Sequence, residues 1–116
     1  MIKLKRAYDP PSDEDGERVL VERLWPRGVS KDKGRIDSWA KELSPSPELR
    51  KWFDHDFDKW NEFVERYELE LASQERALKE LANKAKDHTV TFVFAAKDEE
   101  HCSAAVLKKA VERLSL

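Results

Sequence analysis

The stretch Thr89–Ala96 reads TVTFVFAA, and it decides the fold class of the chain. Its residues are mostly β-branched or aromatic, which is typical of a strand. One face of that strand carries Val90, Phe92 and Phe94, and the other carries Val93 and Ala95. A strand that is apolar on both sides lies inside a sheet whose two faces are covered. We therefore predict a central strand with helices on both faces.

A second buried strand precedes a polar turn in Arg18–Gly28, which reads RVLVERLWPRG. The apolar run at 19–21 predicts the strand, and the proline and glycine after it favour a turn. Arg23 and Arg27 therefore stand at the end of this strand. Ligands of α/β proteins bind beyond the carboxyl ends of strands. The stretch predicts a site here, provided that its end lies beside the end of Thr89–Ala96.

The chain begins with a predicted edge strand. Ile2–Tyr8 alternates apolar residues with lysines, which is the pattern of a half-buried strand at the edge of a sheet. Asp9–Glu17 contains two prolines, a glycine and several acids, so we expect a surface loop with at most one helical turn. This loop is too short for a full crossover helix, and the direction of the first strand stays open.

Apolar residues at helical spacing predict the helices. One spans Ile36–Leu43, and the next begins at Ser46, a serine N-cap followed by a proline. Phe57–Lys86 is too long for one helix of so small a domain, so we expect two helices with Ser73 capping the second. A closing helix follows Asp98, which can cap it with two glutamates in its first turn.

Strands and helices in this order indicate the α/β class. We expect a single domain over residues 1–116, with a sheet of about three strands and helices packed on its faces. A chain of 116 residues is long enough for one modest core.

Composition restricts the partners and the compartment. The formal net charge is −2 and the pI is about 6.0, which disfavours a nucleic-acid-binding protein. No apolar run reaches membrane-spanning length, and no signal-peptide pattern begins the chain. A single cysteine fits a reducing compartment. We expect a cytoplasmic protein with no membrane partner.

The first candidate site residues are Arg23 and Arg27. Guanidinium groups present paired donors that match a carboxylate or a phosphate. The alternative is that these arginines pair with internal carboxylates such as Glu22, Asp98 or Glu99 and only tie loops together. The sequence favours neither interpretation.

A second set of candidates follows the central strand: Lys97, Asp98, His101 and Cys102. Asp98 and His101 could perform acid–base chemistry, because residues three apart share a helix face. The spacing matches no zinc signature, so no metal site is predicted. Asp98 is better explained as a helix cap. A helix start would lower the pKa of Cys102, whereas the glutamates beside it would raise that pKa.

The aromatic residues give the third set. Trp39, Trp52 and Trp60 stand at helical spacings and are interpreted as core residues. Trp25 stands beside the arginines and could form a flat wall for a ligand or stack on a guanidinium. His55, between two aspartates, is interpreted as a solvated or capping residue. Glycine-rich phosphate loops and HExxH patterns are absent from the sequence, so no cofactor is predicted.

With these residues in view, the chain resembles the YeaO-like branch of DUF488, a widespread bacterial and archaeal family of unknown function. The resemblance rests on IKLKRAYDPPS (2–12), VLVERLWPRGVSKDK (19–33), LSPSPELRKWFDHD (43–56) and FVFAAKDEEHCSAAVL (92–107). It implies a small α/β fold, no established reaction, and a polar cluster of Arg23, Trp25, Arg27, Lys31, His55 and Asp98. Longer relatives tend to carry Cys-His where this chain has Cys102-Ser103, which puts any role of that histidine in doubt here.

Three functional hypotheses follow. The first is an enzyme or binding protein for a small anionic metabolite, with ligand-binding residues Arg23, Trp25, Arg27, Lys31, His55 and Lys97. The second is an interaction module that self-associates or binds another protein through the amphipathic helices of Phe57–Lys86. The third is weak nucleic-acid binding through the basic segment that contains Arg27, Lys31, Lys33 and Arg35.

Overall fold

The structure is a computed structural model that describes residues 1–114. Its strands are β1 (Ile2–Arg6), β2 (Glu17–Leu20), β3 (Ser38–Trp39) and β4 (Val90–Phe94). Its helices are α1 (Lys31–Gly34), α2 (Pro47–Phe53), α3 (Trp60–Ala72), α4 (Glu75–Asp87) and α5 (Ser103–Leu114), with 3-10 turns at Asp13–Asp15, Lys41–Leu43 and Phe57–Lys59. The predicted α/β class is confirmed, with four strands instead of about three. Within residues 1–114, no helix combines the length and the apolarity needed to cross a membrane.

The sheet has the order β1-β4-β2-β3, and every pair is parallel. β4 therefore lies inside the sheet and β1 at its edge, as predicted. The direction of β1, which the sequence left open, is parallel to both β4 and β2. Pairing of β2 with β4 continues past Leu20, since the N–H of Val21 donates to the carbonyl of Val93 over 3.0 Å. The carboxyl ends of these two strands lie side by side, as the predicted site requires.

The two faces of the sheet are covered differently. Val90, Phe92 and Phe94 of β4 enter the larger core, together with buried residues of α3, α4 and α5. Val93 faces the other way, into a small cluster with Ala7, Leu20 and Ile36. The long helices thus lie on one face, and the opposite face is covered by the segments around Ala7 and Ile36. This alternation of Val90, Phe92 and Phe94 against Val93 matches the sequence pattern.

The helix predicted over Ile36–Leu43 is wrong. Ser38 and Trp39 form β3 and pair with Val19 and Leu20 of β2. The reason is that a buried strand must satisfy its backbone groups on both edges. β4 occupies only one edge of β2, so this segment extends along the other. Trp39 consequently lies at the rim, 40% exposed, and is not the core residue that its spacing predicted.

The long helical segment is broken as predicted, after Ala72. The predicted role of Ser73 is wrong: its hydroxyl donates to the carbonyl of Glu70 at the end of α3, and Gln74 precedes α4 without a side-chain cap. The apolar stripe of these helices is buried against the chain's own sheet, through Phe63, Tyr67, Leu71, Leu78 and Leu81. The stripe that suggested an interaction module therefore belongs to the core.

A buried ion pair lies where β2 begins. The Asp15 carboxylate accepts hydrogen bonds from Arg18 Nη1 at 2.6 Å, from Lys5 Nζ at 3.1 Å and from the N–H of Ser12 at 3.0 Å. Arg18 also donates through Nε to the carbonyl of Gly34 at 2.8 Å. Asp15 and Arg18 are both buried. This network joins the loop after β1 to the first residues of β2.

Candidate functional site

A cleft of about 780 Å³ lies at the carboxyl edge of the sheet, where β2 and β4 end. α2 and the turn after it form one wall, and the segment from Ala95 to Ser103 forms the other. Two successive residues of that turn, Asp54 and His55, have left-handed backbone with φ of 46° and 56°. This conformation is uncommon outside glycine, although Asp and His adopt it more readily than most residues. It ends α2 and turns the chain along the rim of the cleft.

Aromatic rings line the cleft between α2 and α3. Phe53 contacts Phe57 edge to face, with ring centres 5.7 Å apart, and lies 4.6 Å from Phe63. Trp60 stacks on Phe63 at 5.3 Å with an interplanar angle of 22°. Phe57 is held in this array although it is 50% exposed. We refer to Phe53, Phe57, Trp60 and Phe63 as the aromatic wall.

Asp98 and His101 form a hydrogen-bonded pair in the cleft. Asp98 Oδ2 lies 3.0 Å from His101 Nδ1, and Asp98 Oδ1 accepts from the N–H groups of His101 and Glu100 at 2.9 Å. These backbone hydrogen bonds, with a smaller contribution from the imidazole, hold the pKa of Asp98 below its ordinary value. An ionised Asp98 can only accept, so His101 Nδ1 carries a proton and donates it to Asp98 Oδ2.

The predicted cap of the closing helix is wrong in its location. Asp98 caps the turn at 99–101, and α5 begins only at Ser103. The two glutamates after Asp98 therefore precede the helix and do not lie in its first turn. Asp98 lines the cleft, and its carboxylate is hydrogen-bonded both to this turn and to the His101 ring.

Cys102 is buried beside this pair and is poorly suited to nucleophilic chemistry. Its thiol lies 3.6 Å from the carbonyl of Glu99, to which it donates. Burial raises the pKa of the thiol and outweighs the backbone N–H groups of Ala105 and Ala104 that lower it. Within residues 1–114, neither this thiol nor the Ser103 hydroxyl hydrogen-bonds to the His101 ring. Among the described residues of the cleft, the His101 ring therefore lacks the contact with a nucleophile that a covalent catalyst uses.

Glu22 links the ends of β2 and β4 inside the cleft. Its Oε2 accepts from the N–H of Ala95 at 2.8 Å, and its Oε1 lies 3.9 Å from Arg50 Nη1 on α2. The Glu22 side chain is 14% exposed, whereas that of Arg50 is 44% exposed. The carboxylate is therefore committed to the protein, and the Arg50 guanidinium remains largely open to solvent.

Two lysines add positive charge that the protein does not neutralise locally. Lys51 on α2 and Lys97 after β4 both line the cleft and are exposed. Among the residues that the structure describes, neither ammonium group forms an ion pair or a hydrogen bond. The His55 ring and the Asp54 carboxylate also line the cleft, and within the described residues they too form no ion pair or hydrogen bond. The uncommitted charge of the cleft is therefore positive on balance.

The structure brings only some of the predicted residues into the cleft. His55, Lys97, Asp98 and His101 line it together. Arg23, Trp25, Arg27 and Lys31 do not belong to its lining. The Arg23 guanidinium donates to the carbonyls of Pro45 at 3.2 Å and Ser44 at 3.3 Å, and not to the carboxylates proposed as its alternative partners.

Trp25, Arg27 and Lys31 lie outside the cleft lining, and Trp25 packs against Trp39 of β3. Trp25 meets Trp39 edge to face at 5.4 Å, and its indole N–H donates to the carbonyl of Val29. The ring therefore packs on another tryptophan and not on a guanidinium. Arg27 and Lys31 are exposed on the segment that follows.

Sequence reasoning missed Arg50 and Lys51 as members of the site. Both stand on the exposed side of a short helix, where charged residues are usual and carry no signal. Their membership of the cleft depends on where α2 lies relative to the strand ends, which the sequence does not show. The sequence signal closest to it is the Asp54-His55-Asp56 break, which predicts where α2 turns back. Of the described residues, no group of three or more His, Cys, Asp and Glu side chains could hold a metal ion.

Comparisons with known proteins place the chain among relatives of unknown function. A model of the DUF488-N3i family, described as the inactive DUF488-N3 subclade, matches residues 1–115. The uncharacterized protein YeaO of Escherichia coli (strain K12) is 44% identical over 106 residues, which cover 91% of this chain and 92% of that protein. The uncharacterized proteins Rv3073c of Mycobacterium tuberculosis (strain ATCC 25618 / H37Rv) and Mb3100c of Mycobacterium bovis (strain ATCC BAA-935 / AF2122/97) are each 40% identical over 91% of this chain and 89% of their own length. No solved structure matches the chain.

Proposed function

Since the chain belongs to the DUF488-N3i family, the inactive DUF488-N3 subclade, we propose that it binds a small anionic metabolite in the cleft and does not convert it. The observation that carries this proposal is the pair of lysines, Lys51 and Lys97, which both line the cleft and have no partners within the described residues. A ligand carboxylate or phosphate supplies the missing partner. The Arg50 guanidinium adds a third cation with a long, 3.9 Å contact to Glu22 that an anion can replace.

Two of the three carboxylates in the cleft lining are already hydrogen-bonded within the protein. Glu22 is occupied by the N–H of Ala95, and Asp98 by its own turn and by His101. Asp54 is the remaining carboxylate of the lining, so one unpaired negative charge accompanies the two unpaired lysines. The volume of about 780 Å³ falls in the range of roughly 300–1,000 Å³ that is typical of small-molecule sites.

Binding without turnover agrees with the chemistry of the cleft. A buried Cys102 thiol with a raised pKa is a weak nucleophile, because the thiolate is the reactive form. The pair of Asp98 and His101 has no nucleophile hydrogen-bonded to it within the described residues. The hydrogen bond to Asp98 instead fixes the orientation of the imidazole, whose Nε2 remains available for a hydrogen bond to a ligand.

The test is a titration with ribose 5-phosphate by calorimetry at low ionic strength, alongside thermal unfolding. At 100 times its dissociation constant a ligand adds about 2.7 kcal/mol to the free energy of unfolding, which raises the melting temperature of a chain of this size by roughly 10 °C. Lys97→Ala and Lys51→Ala should each weaken binding by about 5- to 10-fold, the effect of losing one charge-assisted contact at a partly exposed site.

Lys86→Ala is the matched control, because Lys86 is exposed on α4 outside the cleft lining. This variant should bind ribose 5-phosphate with the affinity of the native protein. The proposal is wrong if neither ribose 5-phosphate nor inorganic phosphate binds at millimolar concentration, or if Lys86→Ala weakens binding as much as Lys97→Ala does.

A further inference from the structure

The aromatic wall of the cleft has an exposed member that the fold does not need. Phe57 is 50% exposed, whereas Phe63 of the same wall is 4% exposed and belongs to the core. The Phe57 ring is nonetheless fixed: it meets Phe53 edge to face at 5.7 Å and His101 at 6.0 Å with an interplanar angle of 74°. A ring that is half exposed and fixed by its neighbours offers apolar surface on which another planar group can stack.

The same wall separates the cleft from a second hollow. This hollow has a volume of about 490 Å³ and shares Phe57, Trp60, Asp98 and His101 with the cleft. Its further lining residues are Asp58 and Asn61, both exposed. A carboxylate accepts hydrogen bonds, and an amide both donates and accepts them. The hollow therefore combines a flat apolar surface with the polar groups that a heterocyclic base requires.

The cations lie in the other part of this arrangement. Lys51, Lys97 and Arg50 line the cleft and are absent from the lining of the hollow. One ligand that reaches across the wall would thus meet aromatic rings and amide or carboxylate groups at one end, and positive charge at the other.

We propose that the anionic ligand of this protein is a mononucleotide, whose base stacks on Phe57 beside Asp58 and Asn61 and whose phosphate lies at Lys51 and Lys97. This inference rests on the proposed function, since it names the class of the bound anion. The binding is non-covalent, and it requires a planar ring and a phosphate in one molecule.

The experiment compares ribose 5-phosphate with the four ribonucleoside 5′-monophosphates, by calorimetry with the full chain. Stacking of one base on an aromatic side chain strengthens binding by roughly 10- to 100-fold, so at least one mononucleotide should bind about that much more tightly than ribose 5-phosphate. In Phe57→Leu, which keeps an apolar side chain and loses the planar face, this ratio should fall to near one. In Phe57→Trp it should persist.

Tyr8→Ala is the matched control, because Tyr8 is 51% exposed and lies outside both hollows. It should keep the native ratio. The inference is overturned if ribose 5-phosphate binds as tightly as every mononucleotide, a result that leaves the proposed function standing. Failure of ribose 5-phosphate and all four nucleotides to bind would overturn both proposals. A ratio unchanged in Phe57→Leu would overturn the assignment of the base to this wall.

Discussion

Replacing Asp15 by asparagine tests the buried ion pair that anchors the start of β2. Asp15 is 5% exposed and Arg18 is 2% exposed, so water cannot solvate the charge of either side chain. Asp15→Asn keeps the size of the side chain and removes the charge that faces Arg18 Nη1 at 2.6 Å. The variant therefore leaves a buried guanidinium without its anion. This is the costly kind of perturbation, because the desolvation of the remaining charge is no longer offset.

The magnitude follows from the burial of both groups. Breaking one partner of a buried pair costs about 3–5 kcal/mol of the free energy of unfolding. For a chain of 116 residues this corresponds to a melting temperature lower by about 12–20 °C. Asp13→Asn is the control, since Asp13 lies in the same 3-10 turn and pairs with Arg35 but has a fully exposed side chain. We expect it to unfold at the native denaturant midpoint.

The pH dependence adds a second readout. Burial raises the pKa of Asp15, but the N–H of Ser12 and the cations Lys5 and Arg18 together outweigh burial and hold this pKa below its ordinary value. A carboxylate of lowered pKa contributes stability above its unfolded pKa of about 4, and this contribution is lost as the pH falls through the folded pKa. The stability gap between the native protein and Asp15→Asn should therefore narrow below about pH 4.

Urea denaturation followed by tryptophan fluorescence measures both effects, at pH 7 and at a series of lower pH values. A loss for Asp15→Asn under about 1 kcal/mol at pH 7 would refute the reasoning, because it would mean that the Arg18 charge is not held by this carboxylate. A gap that stays constant down to pH 3 would refute the pKa argument alone.

Two further predictions concern α2 and the thiol. Ser46→Ala should lower the free energy of unfolding by about 1 kcal/mol in urea denaturation, since the Ser46 hydroxyl accepts from the N–H of Leu49 at the start of α2; an unchanged midpoint would contradict this cap. Cys102 should react with a disulfide reagent such as DTNB at least roughly 100-fold more slowly in the native protein than in urea, because the thiol is buried and its pKa is raised. Native labelling at the unfolded rate would contradict that burial.

The buried strands could be predicted because buried strands are apolar on both faces, a pattern that is visible in the sequence. Thr89–Ala96 is apolar on both faces, and the structure places it inside the sheet. β3 could not be predicted in this way. It consists of Ser38 and Trp39, and it exists because the free edge of β2 needs partners, a requirement that appears only once the sheet is assembled. Ile36, Trp39, Ala40 and Leu43 recur at helical spacing, and in so short a segment this spacing does not exclude a strand.

The cleft lies at the edge of the sheet where the sequence predicts a site, and its lining contains only some of the predicted side chains. The ends of β2 and β4 are neighbours, the condition on which the predicted site depends, and Lys97, Asp98 and His101 line the cleft. Arg23 was chosen because it follows β2, yet Ser44 and Pro45 lie close enough to take its guanidinium. These hydrogen bonds join residues more than 20 positions apart, so no local sequence pattern predicts them.

Phe57 is a residue that the sequence pattern assigns to the buried helical stripe and that the structure places at the cleft rim. Its spacing placed it in the helical stripe that covers the sheet, and the residues that follow in that stripe, such as Tyr67 and Leu71, are indeed buried. Phe57 comes before α3, in a 3-10 turn, and so it points to the cleft rim instead of the core. A change from 3-10 turn to α-helix rotates the first residues of a stripe relative to the rest.

An amide chemical-shift titration of the labelled protein with ribose 5-phosphate shows directly whether the cleft binds an anion. We expect shifts in two groups of residues that are distant in sequence, 50–55 on α2 and its turn and 95–103 after β4, because both line the cleft. Residues 27–35, which carry the basic segment outside the cleft, should stay unshifted. Shifts confined to 27–35, or the absence of shifts at saturating ligand, would contradict the account.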